Sequence, residues 1–228
     1  LSPGATDPAD KIKVIEPNVV GIGGMTYAPI ADRALYTHVF PLLAERDPEV
    51  AGLGMMDDPR SLLAEDLKRH ASAIGGSDRK PTMGFVDDKY LYRFGGEFGR
   101  LVPYLKMAGW DAHYVDIREL DVSPEGDVVA GDVRFDVLFR FLEVREIIDL
   151  EATFGGPLHG MRAAFQKGIV VPSVGGDLEH KSAFEILTRG DFSKYFPADE
   201  VAVIHDHVLW TRVICPRFTN PPSFERQY

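Results

Sequence analysis

From residue 82 onward the chain repeats one pattern, a short apolar run followed by an amphipathic stretch and then another apolar run. Residues 82–86 predict a strand that Asp87 and Asp88 close. Residues 99–108 carry apolar positions at helical spacing and stop at Gly109. Residues 112–117 predict the next strand, 122–131 a polar hairpin or loop, and 133–142 a strand interrupted by Asp136 and Arg140. Two helices at 147–150 and 158–167 follow, the second stopped by Gly168. Residues 169–171 are strand-like, 172–176 a loop, 180–187 a helix, and 201–204 a last strand. Such alternation dictates an α/β fold, because parallel strands need a crossover between them and that crossover is right-handed. In a sheet of this kind ligands lie beyond the carboxyl ends of the strands.

The first third is less regular. Residues 1–10 read as a loop, and 28–44 as a helix interrupted by Pro41. Residues 59–74 predict a helix with Asp58 as its cap, Pro59 in its first turn, and Gly75 and Gly76 at its end. The stretch 75–81 predicts a boundary between a domain at 1–80 and a second at 81–214, with an irregular proline-bearing tail at 215–228.

The net charge of −10 argues against non-specific nucleic-acid binding and against docking on an anionic membrane, while leaving a local phosphate site open. A composition of 45% hydrophobic and 26% charged residues over 228 positions is that of a globular protein of one large or two small domains. The lone cysteine, Cys215, can form neither an internal disulfide nor a cysteine-based zinc site, which fits a cytoplasmic location. No run of ~18 apolar residues predicts a transmembrane helix. The start, Leu1-Ser2-Pro3-Gly4, is neither a signal peptide nor an initiator methionine, so further residues are expected before it.

Five places could carry chemistry. Lys11, Ile12, Lys13 and Val14 alternate as a strand does, and Glu16 and Asn18 then leave one face, with Pro17 between them and glycines after. A carboxylate beside an amide oxygen is a hard patch that suits Mg²⁺ holding phosphates; a polar turn is the alternative. Gly95 and Gly96 precede a helix and form a possible anion-binding loop, or a tight turn. Arg140 stands in an apolar strand and needs a partner, either Glu143 or Asp136 or a substrate carboxylate held bidentately. Lys181 falls in the first turn of a helix opened by Gly175, Gly176 and Asp177, where it could contact an anion or remain solvated. His205 and His207, two apart after a strand, could supply half a metal site, with no third ligand evident.

Taken together, Val14-Ile15-Glu16-Pro17-Asn18 and its glycine turn resemble the Glu-x-Asn strand of ATP-grasp ligases. Its early position resembles the circularly permuted, glutathionylspermidine synthetase-like members. The segment 82–143 is similar to their preATP-grasp core, and the run 169–187, with Gly176-Asp177-Leu178-Glu179-His180-Lys181-Ser182-Ala183-Phe184, resembles the loop and lysine helix that follow. Leu209-Trp210-Thr211-Arg212 looks like the exit toward the nucleotide clamp. The resemblance implies a parallel-sheet, Rossmann-like preATP-grasp domain joined to part of an ATP-grasp domain. It implies ATP and Mg²⁺ as cofactors, with Glu16 and Asn18 on the metal. Arg140, Glu143 and Lys181 would lie on the substrate side, for small-molecule carboxylate and amine substrates, in a chain that could be a homo-oligomer. The reaction implied is amide formation through an acyl phosphate. Two departures stand out. The family's Arg-x-Asp strand is not in 1–10, and 215–228 is too short for its nucleotide-binding lysines, so a fragment of a longer ligase is expected. The alternative is a non-catalytic α/β module that binds an amino-acid or peptide carboxylate.

Overall fold

The computed structural model describes residues 12–75, 79–91 and 96–213. They fall into two compact units, one at 20–175 and one that joins residues up to 19 with residues from 176 on. The predicted boundary at 75–81 is not where the units part. Residues 59–75 pack on the same core as the strands that follow, because Ala64 and Leu67 bury with Met83 and Phe85.

The larger unit begins with α1 (Ala28–Ala34), α2 (Phe40–Ala44) and α3 (Pro59–Gly75). Pro41 lies at the start of α2, where its missing N–H costs least. Asp58 caps α3 as expected, Oδ1 accepting from the Arg60 N–H at 3.0 Å. Then come β1 (Thr82–Asp87), α4 (Phe98–Met107) and β2 (Asp111–Asp116). β3 (Asp121–Val122), β4 (Val128–Ala130) and β5 (Val133–Arg134) form a small antiparallel sheet, and β6 (Val137–Arg140) returns to the main one. α5 (Val144–Phe154), α6 (His159–Gln166) and β7 (Val170–Val171) complete the unit.

The main sheet runs β2-β1-β6-β7, every pair parallel. Strand alternation sends Met83 and Phe85 to one face, where they pack with Phe98, Leu101 and Leu105 of α4 and Leu67 of α3. Val86 and Leu138 go to the other face, with Ile147 of α5 and Met161 and Ala164 of α6. A parallel sheet buried on both faces explains why its strands read as apolar runs. This is a Rossmann-like α/β fold. Strand order reverses between β1 and β6, so their carboxyl ends form the switch point at which such folds place ligands.

Two expectations change. The run 133–142 is two strands in different sheets, divided where Asp136 turns inward to accept from the Thr82 N–H at 2.8 Å and from Arg79 at 2.6 Å. Residues 201–204 are helical, inside α8 (Ala198–His207) of the smaller unit, which also holds α7 (Ala183–Thr188). Pro197 stands just before α8, and Asp199 and Glu200 lie in its first turn, local signals that outweigh the β-branched run. In that unit Val14 bridges Val208 in parallel, and the Val14 N–H donates to the His207 carbonyl at 2.7 Å.

α6 meets the chain entering β3 with no room for a side chain. A Cβ on Gly160 would lie 2.3 Å from the Leu120 carbonyl carbon and 2.5 Å from the Asp121 nitrogen. Backbone cannot yield as a flexible side chain does. Gly160→Ala should therefore lower stability by about 2–3 kcal/mol in urea unfolding; an unchanged midpoint would mean that α6 does not pack this closely.

Candidate functional site

The carboxyl ends of β1 and β2 carry three buried carboxylates, Asp87, Asp88 and Asp116. Asp116 and Asp88 share Arg118, which donates from Nε to Asp116 at 2.5 Å and also pairs with Asp88. Burial would raise the Asp116 carboxyl, but the Arg118 bonds hold it below the usual range. Asp116 also accepts from the Lys89 N–H at 2.9 Å, and Lys89 Nζ reaches Glu119 at 3.0 Å. Among the described residues, Arg118 and Lys89 at this edge are thus both committed.

Asp87 differs from its neighbours. Its residue is 3% exposed, and its Oδ1 accepts the Asp88 N–H at 2.8 Å. Among the described residues no cation pairs with it. Burial pushes its carboxyl up to about 6; the Asp88 N–H opposes that rise, and the charges of Asp88, Glu146 and Asp116 add to it. Sequence reading treats Asp87-Asp88 as a strand end. The signal it passes over is two carboxylates closing the apolar strand at the point where an α/β sheet binds ligands.

Arg140 is fully buried at the carboxyl end of β6. Its Nε donates to the Pro172 carbonyl at 2.8 Å, Nη1 to Leu142 at 2.6 Å and Nη2 to Ser173 at 2.8 Å, while Phe165 lies under the guanidinium. A side chain with no open face cannot grip a substrate carboxylate, so the substrate-side assignment gives way to a structural one. Asp136 pairs with Arg79 instead. Glu143 is the N-cap of α5, in a reciprocal capping box with Glu146, whose Oε2 accepts the Glu143 N–H at 2.7 Å. That role occupies the side chain at the helix end rather than on a ligand.

Of the glycine loop, Gly95 lies outside the described residues, and Gly96 holds a φ of 54° that favours glycine. The next residue, Glu97, turns its carboxylate onto Thr26, accepting from N–H at 2.7 Å and from Oγ1 at 3.0 Å. An acid at this helix start makes the loop a poor seat for an anion.

In the smaller unit the structure brings Glu16, Asn18 and Lys181 together from opposite ends of the chain. The Lys181 ammonium pairs with Glu16, and Asn18 Nδ2 approaches Glu16 Oε1 at 3.4 Å. The bond from Lys181 holds the Glu16 carboxyl below the usual range. Nearby, the Val19 N–H donates to Glu179 Oε2 at 2.5 Å. α7 begins at Ala183, later than predicted, so Lys181 precedes the first turn rather than sitting in it. Glu16 and Asn18 offer hard oxygen donors that suit Mg²⁺, and an ammonium beside them suits phosphate, so the donor set fits a metal–nucleotide. His205 and His207 lie in α8, where residues two apart face opposite sides, and His207 Nδ1 bonds the Ile12 carbonyl at 3.0 Å. They do not form half a metal site. Among the described residues, no three His, Cys, Asp or Glu side chains gather as metal ligands. Cys215 lies outside the described residues.

A cavity of about 640 Å³ opens beside the start of α3, but its polar groups satisfy one another. Arg60 bonds Asp58 at 2.6 Å, Tyr104 donates to Asp58 at 2.8 Å, and the guanidinium stacks 3.6 Å over the Tyr104 ring. The Arg60 bond draws the Asp58 carboxyl down to about 2, against burial. This is a knot tying α3 to α4. No helix among the described residues is long and apolar enough to cross a membrane.

A carboxyl raised from 3.8 to about 6 weakens the folded state above pH 6 and has no effect below its unfolded value, where both states are protonated. Asp87→Asn should therefore raise stability near pH 8 by on the order of 1–2 kcal/mol, after solvent screening, and leave it unchanged near pH 3.5. Thermal melts across that range check it; a variant less stable at pH 8 would contradict the assignment.

No protein-family model matches this chain, and no curated protein matches it either.

Proposed function

We propose that the chain is part of an ATP-dependent carboxylate–amine ligase that forms an amide through an acyl phosphate. The observation that supports this most is the convergence of Glu16, Asn18 and Lys181. In this reading Glu16 and Asn18 would hold Mg²⁺, and Lys181 would bind a phosphate oxygen. The ion would neutralise charge that develops on the transferred phosphoryl group. The substrate carboxylate attacks the γ-phosphorus and ADP leaves. The amine then displaces phosphate and loses a proton. The chain's own contribution at this point is positioning: Glu16 orients the flexible lysine through a charge-assisted bond, and Asn18 restrains Glu16. The unit at 20–175 would be the preATP-grasp part, and the unit holding Glu16 and Lys181 part of the ATP-grasp domain. A cytoplasmic location and small-molecule substrates go with this reading.

The test is Mg-ATP binding to the complete protein, followed by calorimetry. Glu16→Gln and Lys181→Met should each weaken it by about tenfold, since one charge-assisted contact is worth roughly 1.5 kcal/mol or more. Both side chains are largely solvated, so neither variant should unfold. Affinity unchanged in both variants would overturn the assignment.

A further inference from the structure

We propose that the helical arm at 28–46 is a self-association surface, on which a second copy of this chain packs antiparallel about a two-fold axis at Val39. The inference does not rest on the ligase reading.

The arm belongs to the larger unit but buries nothing in it. Residues 28–44 are helical throughout, with one wider turn at Leu35–Val39, and the Arg46 N–H still bonds the Leu43 carbonyl at 2.9 Å. From Tyr27 to Asp57 no residue is buried. Ten large apolar residues in that span are exposed, Ile30 and Met56 each to 67%. Together they show on the order of 1,000 Å² to water, where the largest apolar patch of an ordinary monomer is roughly 300–600 Å². One partner in a stable complex buries about 800 Å², so the arm has enough surface for a dimer. A helix with so little packing of its own needs a covering surface to hold its shape.

The order of the residues names the occupant. Tyr36 and Phe40 line the groove between the helix and 48–52 together with Val50 and Leu53, so that side of the helix is turned inward. Leu35, Val39 and Leu43 recur every four residues along another side, and Asp32 and Arg46 extend that row by three at either end. The row is symmetric about Val39 in shape and antisymmetric in charge. Laid antiparallel on its own copy, it sets Leu35 on Leu43, Val39 on Val39 and Asp32 on Arg46, with the charged contact made twice. Asp32 gives one oxygen to the Met56 N–H at 3.2 Å, and Arg46 has no side-chain partner among the described residues. Laid parallel, the same row would set Asp32 on Asp32 and Arg46 on Arg46. An unrelated partner has no need of such a palindrome, whereas a two-fold interface must be complementary to itself.

The experiment is sedimentation equilibrium of the full chain at concentrations up to about 100 µM, which fills a dimer of micromolar Kd. The expected result is twice the chain mass. Val39→Asp sets two carboxylates against each other at the axis and should raise Kd at least about 100-fold. Asp32→Arg and Arg46→Asp should each weaken the dimer. Mixing these two variants should restore it as a heterodimer, because both charged contacts then join opposite signs. Recovery on mixing cannot come from a variant that has lost its fold. A monomer at every concentration, a dimer that survives Val39→Asp, or no recovery on mixing would each overturn the proposal. The first is the outcome if a different protein, or further residues of a longer chain, cover the arm.

Discussion

The larger unit depends on one buried cation. Arg140 ends β6, and its guanidinium reaches the carbonyls of Leu142, Pro172 and Ser173. These belong to the chain leaving β6 and the chain leaving β7, neighbours in the sheet. Past the last strand residue the ladder can no longer satisfy those carbonyls, and burial makes an unmade bond expensive. One planar group with several donors answers three of them. The strand ends are thereby fixed in position.

Beside that fixed edge, the acidic side chains divide into two kinds. Asp88 and Asp116 are compensated by Arg118, and their geometry is structural. Asp87 is not compensated, and its raised carboxyl records what that costs the fold. A group that weakens the folded state and is nonetheless held in place fits the general opposition between stability and function. The other unit shows the same logic with opposite accounting. There Glu16 is satisfied by Lys181, so the pair is stable without a ligand, and its interest lies in which residues meet rather than in an unmet need.

Much of the fold was legible because its signals are local. The apolar runs at 82–86 and 112–117, the Asp58 cap and the stop at Gly168 all act within a few residues of themselves. The run at 201–204 misled because Val201, Val203 and Ile204 look β-like, while Pro197, Asp199 and Glu200 just before them start a helix. Arg140 was legible as a cation needing partners, but carbonyls 32 and 33 residues away leave no mark in the sequence. Nor could spacing reveal that Glu16 and Lys181 meet, since nothing local links them. Asp87 could have been singled out by position, but its lack of a partner is a property of the packed state alone.

The most direct measurement is the urea unfolding of Arg140→Met beside binding of a carboxylate such as acetate or glutamate. Methionine keeps much of the bulk and removes every donor. Leaving the buried Leu142 and Pro172 carbonyls unanswered should cost about 2 kcal/mol or more, so the midpoint should fall sharply while carboxylate binding shows no specific loss. Stability held within about 0.5 kcal/mol, together with lost carboxylate affinity, would make Arg140 a ligand-binding residue and contradict the account.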